Sequence, residues 1–155
     1  MTIHFGDNTS IATATGLGGK VVQVKKATIT SSSSTSSGDM QSTGLSESIT
    51  MTASSNKVLV FATGSMTNSS SACGGAATIF RGSTNLAPGG GANDGISMFY
   101  GEDNSNNIEN AANLLILDTP GTGTHTYSVK IKAFNGTQGF GNRNTGVLIL
   151  VELTF

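Results

Sequence analysis

Charge is what this sequence has least of. Asp, Glu, Lys and Arg make up 11% of the residues, against about 25% in an average globular chain. Eight basic and nine acidic residues leave a formal net charge of -1. That argues against a nucleic-acid partner, which needs clustered Lys and Arg to neutralise phosphate. The single cysteine, Cys73, rules out an intrachain disulfide and any multi-cysteine metal site. There is no Trp and there are two Tyr, so a sugar-cleaving cleft with stacking aromatics around paired carboxylates has little support. Lys, Glu and Leu are too sparse for a helical bundle. The longest apolar run, Val147-Leu-Ile-Leu-Val151, is far short of the about 20 residues that span a bilayer, so no membrane insertion is expected. No basic run followed by an apolar stretch appears near Met1, and no secretion signal is expected.

Gly, Ser, Thr and Asn take up the space that charge leaves, so the polar surface is built from hydroxyls and amides. The chain divides at Thr15-Gly-Leu-Gly-Gly19. Residues 1–19 form a polar arm carrying three apolar residues, Ile3, Phe5 and Ile11, that suit an extended N-terminal arm docking onto a partner. Residues 20–155 form the folded domain. They read as short strands broken by Gly/Ser/Asn stretches. Val22 and Val24 fall in alternation, and Tyr127, Val129, Ile131 and Ala133 alternate with Ser128, Lys130 and Lys132. Residues 147–155 are apolar on both faces except at Glu152, the mark of a central strand. Asn135-Gly136 fits a type I′ hairpin turn. Residues 104–117 are ambiguous: 113–117 read as a strand, but Ile108, Ala111, Ala112 and Leu115 also have helical spacing. The count is eight or nine strands with regular turns, an all-β antiparallel sandwich or barrel.

Catalytic constellations are missing. His4 and His125 stand away from any nucleophile motif, and Cys73 has no paired base in view. Gly16-Leu-Gly-Gly-Lys20 lacks P-loop spacing and leads into a strand, not a helix. Asp103-x-Ser105-x-Asn107 begins like a calcium loop but lacks the Gly and Glu that complete one. No catalytic residue, metal ligand or cofactor is therefore assigned. Asp94, Tyr100, Glu102, Asp103 and Asn106, with Asn142 and Arg143, make candidate surface-binding loops. Glu47 falls on the apolar face of its strand between Leu45 and Ile49 and needs a partner, such as Arg81 or a Lys of another chain.

An ordered series of segments carries a resemblance: Gly19-Lys-Val-Val-Gln-Val24, Leu45-Ser-Glu-Ser-Ile49, Asn56-Lys-Val-Leu-Val60, Phe80-Arg-Gly-Ser-Thr84, Ile116-Leu-Asp-Thr-Pro120, Thr126-Tyr-Ser-Val129 and Leu148-Ile-Leu-Val-Glu152. The set resembles the small β-rich virion structural and tail-fibre proteins of tailed bacteriophages, particularly marine and cyanobacterial phages. The resemblance implies a jelly-roll sandwich similar to C1q/TNF-type heads, a homotrimer, and a non-enzymatic place on the virion exterior. The expected function is a tail fibre, tip or spike. It would be held to other virion proteins by the arm and would present loops to a host-surface glycan or protein. The alternative is a trimeric capsid decoration protein that stabilises the head.

Overall fold

The computed structural model describes residues 3–4, 10–11, 20–68, 73–87, 95–101, 108–141 and 144–154. Every regular element among them is a strand. Two short strands, β1 (Ile3–His4) and β2 (Ser10–Ile11), pair antiparallel within the N-terminal arm. Phe5 lies outside the described residues.

The remaining strands form two antiparallel sheets. The first contains β3 (Val21–Ile29), β4 (Ser33–Thr35), β6 (Lys57–Asn68), β10 (Ile108–Asp118), β12 (Gln138–Phe140) and β13 (Gly146–Leu153). The second contains β5 (Gln41–Met51), β7 (Cys73–Arg81), β8 (Thr84–Asn85), β9 (Ser97–Gly101) and β11 (Gly123–Asn135). Three strands are interrupted. β12 and β13 both lie along one side of β6, β3 and β4 follow along the far side of that line, and β8 and β9 share one side of β7. Each interrupted pair counts as one line of chain. The first sheet then runs β3/β4, β12/β13, β6, β10, and the second β5, β11, β7, β8/β9. That is eight lines in two sheets of four, with the chain crossing between sheets at nearly every turn: jelly-roll order.

Alternation builds the core. β13 buries Leu148, Leu150 and Glu152 and turns Val147, Ile149 and Val151 outward. β11 buries Tyr127, Val129 and Ile131, and β6 buries Val58, Val60, Ala62 and Met66. Residues 104–117, ambiguous in sequence, contain the start of β10, which pairs with the whole length of β6 from Ile108↔Asn68 to Asp118↔Val58. Long-range pairing decides between the two periods there. The Asn135-Gly136 hairpin is not formed as expected. Gly136 takes a positive φ of 71°, but β11 and β12 belong to different sheets, so this turn carries the chain across the sandwich. β12 pairs instead with β4 and β6.

The two ends of the sandwich differ. At one end lie the turns 52–56, 82–83 and 119–122, together with the backbone pair that joins Lys20 and Thr154. The arm therefore meets the domain here, at what we call the base. At the other end lie the β4–β5 and β11–β12 connections, the end of β6 with the start of β7, and the end of β9 with the start of β10.

Glycine sets one close contact in the core. A Cβ on Gly64 would lie 2.5 Å from Phe140 Cζ, and that ring is fully buried. Gly64→Ala is expected to lower stability by about 1–3 kcal/mol through overpacking. Phe140→Leu in the same chain should recover part of that loss. Urea unfolding of both variants checks this, and an unchanged midpoint for Gly64→Ala contradicts it.

Candidate assembly face and loop end

The two outer faces of the sandwich differ in chemistry along their central strands. On the first sheet, the cross-strand registers set Val24, Val151, Leu59 and Leu117 in one row. The next row holds Lys26, Ile149, Phe61 and Leu115, and the one after that Thr28, Val147, Thr63 and Asn113. Val24, Leu115 and Leu117 are 56%, 58% and 50% exposed, and Val21 beside them is 60% exposed. These rows cross four lines of chain about 4.8 Å apart, so the apolar side chains form a continuous patch. Acidic residues are absent from these three rows, and Lys26 is their one charge. Contiguous apolar patches are the kind of surface at which proteins associate.

On the second sheet the outer rows are hydroxyls. Ser48 faces Thr126 and Thr50 faces Thr124, each pair 2.7 Å apart between side-chain oxygens. Ser46 stands opposite Ser128. Lys130 Nζ lies 4.1 Å from the Phe80 ring centroid and shields that aromatic from water. The hydroxyl rows lie on β5 and β11; towards β7 and β9 the same face buries Ala76, Thr78 and Phe80 and exposes Met98 at 60%.

Two carboxylates staple the sheets together near the base, one on each side. Asp118 Oδ2 accepts from Arg81 Nη1 at 2.6 Å and from the Tyr127 hydroxyl at 2.7 Å. Burial, followed by the Asp118 hydrogen bond and charge, pushes the Tyr127 phenol far above its ordinary value, so it stays protonated and donates. Glu152 is wholly buried and has no cation among its hydrogen-bond donors. Its Oε1 accepts from Asn56 Nδ2 at 2.7 Å and from the backbone and hydroxyl of Thr52 at 2.8 Å each. Its Oε2 accepts from Gln23 Nε2 at 2.6 Å. Burial alone would raise its pKa. The Asn56, Gln23 and Thr52 hydrogen bonds outweigh burial and bring it from 4.5 down to about 2.

The sequence-based residues fall as follows. Arg81 pairs with Asp118 and not with Glu47, whose Oε1 accepts from the backbone N–H of Ser48 at 2.9 Å. Glu47 and Arg81 are separated by Tyr127, which is register partner to both. Glu47 is only half-buried, and the fully buried acid is Glu152. Its signal was its place on the Leu148–Leu150 side of the last strand, whereas Gln23, Thr52 and Asn56 carried none. Asp94, Glu102, Asp103, Asn106, Asn142 and Arg143 lie outside the described residues, and Tyr100 is placed on β9 by its backbone. Their flanks leave the fold at separate places. Gly101 and Ile108 stand at the loop end. Ile96, beyond Asp94, hydrogen-bonds Ala77 along the sheet edge. Gly141 and Asn144 both bond Ser65 within the first sheet. Ile3 and Ile11 are register partners in the β1–β2 pair.

No protein-family model matches the chain, and no curated protein matches it either.

Because the Glu152 pKa is lower in the folded chain, its contribution to stability is full above pH 4.5 and is lost as pH falls towards 2. Glu152→Gln places an amide donor against donors and should cost about 3 kcal/mol at pH 7. It should also flatten the loss of stability between pH 4.5 and 2. Thermal melts across that range check both, and an unchanged wild-type profile in the variant contradicts them.

Proposed function

We propose that this chain is a non-enzymatic structural protein of a tailed-phage virion, working as a homotrimeric tail appendage. The observation that supports this reading is the apolar outer face of the first sheet, set against hydroxyl rows on β5 and β11 of the second. A sandwich built this way covers its first sheet with further copies of itself and leaves its second sheet to water. The resemblance stated above implies that the copies number three. The base-to-tip polarity fits the same role. The chain enters the domain at the base, where Lys20 pairs with Thr154, and the strand ends that flank four connections lie at the opposite end, where a surface receptor would be met.

A capsid decoration protein would use the same polarity, with the arm clamping the head instead of the tail. Copy number separates the two. A few to a few tens of copies per virion, by quantitative mass spectrometry, supports the appendage. A number near that of the major capsid protein supports decoration.

Assembly is tested first on the isolated protein. Light scattering at micromolar concentration should give three times the 15.7 kDa chain mass. Phe61→Asp combined with Leu115→Asp should give folded monomers, because two charges would be buried at the contact. A monomeric wild-type chain, or a double variant that stays trimeric, overturns the proposal.

A further inference from the structure

The core changes character at the loop end. Along β6 the inward series Val58, Val60, Ala62 and Met66 ends in Asn68, and along β12 Phe140 is followed inward by Gln138. Asn68 and Gln138 are cross-strand partners, 1% and 0% exposed. Gln138 Nε2 donates to Thr67 O at 2.8 Å and to Gly139 O at 3.1 Å, while its Oε1 has no donor. Among the described residues Asn68 has no partner for either Nδ2 or Oδ1. Ser33, opposite Phe140 on β4, has a buried hydroxyl that is also unpartnered. At this level Gly75 of the second sheet lets the Gln138 carboxamide approach closely. A Cβ on Gly75 would lie 2.6 Å from Lys132 O and would collide with Gln138 Oε1.

We infer that this end of the intersheet core holds buried water, bound by the Asn68 carboxamide and by Gln138 Oε1. An unpaired carboxamide in a dry core is strongly unfavourable, so these groups need a guest. The guest must both donate and accept: Oδ1 and Oε1 require donors, and Nδ2 requires an acceptor. A metal cation would satisfy the oxygens and leave Nδ2 stranded. Water serves both needs and is the ordinary occupant of such sites. A sugar hydroxyl has the same chemistry, but burial this complete favours water. The inference does not depend on the proposed function.

Oxygen-17 relaxation dispersion on the wild-type protein reads long-lived internal water directly. The expected result is a long-lived population that Asn68→Leu loses, with the variant melting several degrees lower. If Asn68→Leu melts higher, or no long-lived water is lost, the inference is overturned. Should that variant fail to fold, the wild-type crystal structure decides. A water bridging Asn68 and Gln138 supports the inference, and a protein group filling both amides overturns it. Titration with neutral mono- and disaccharides separates the two hydroxyl sources. Unmoved Asn68 side-chain amide resonances support water, and shifted ones assign the site to a sugar and overturn the hydration site.

Discussion

β13 and the first half of β6 are apolar on both faces, and the rest of the structure depends on that. An ordinary sandwich strand needs one covered side. Here Leu148, Leu150, Val58 and Val60 point into the core, while Ile149, Val151, Leu59 and Phe61 point away from it. The second sheet covers the inner set. Nothing in the chain described here covers the outer set, which continues onto Leu115 and Leu117 of β10 and Val24 of β3. Hydrophobic burial of about 25 cal/mol per Å² favours covering such a face.

The interior polar groups are distributed with the same asymmetry of ends. At the base, Glu152 and Asp118 close the two sides of the sandwich, and each is met by several donors. These contacts fix the turns 52–56 and the end of β10 near the point where the arm joins. At the loop end the polar groups are neutral amides with capacity to spare. The base is thereby locked by charge-assisted hydrogen bonds, whereas the buried amides at the loop end are only partly paired among the described residues.

Much of the fold was legible in the sequence because period-two alternation and turn residues are local signals. The two-sided last strand was readable as central, and it lies between β3 and β6. What depended on distant partners was not legible. The helical spacing of Ile108, Ala111, Ala112 and Leu115 gives way to an eleven-residue ladder with β6. Asn135-Gly136 has the composition of a hairpin turn but connects two sheets. For the site, an acid on an apolar face was the right signal, but it pointed to Glu47. Glu47 lies on the edge strand β5 and stays half-exposed, whereas Glu152 lies on a central strand and is fully buried. Strand order, which sequence alone did not supply, decides which of the two needs a complete set of donors.

The most direct test of the account is methyl NMR of the native protein with a soluble paramagnetic agent. If copies cover the first sheet, the methyls of Leu115, Leu117 and Val24 will be shielded like those of Leu148 and Leu150, while the Thr124 and Thr126 methyls on the second sheet relax quickly. Rapid relaxation at Leu115, Leu117 and Val24 would show that face open to water and would contradict the account.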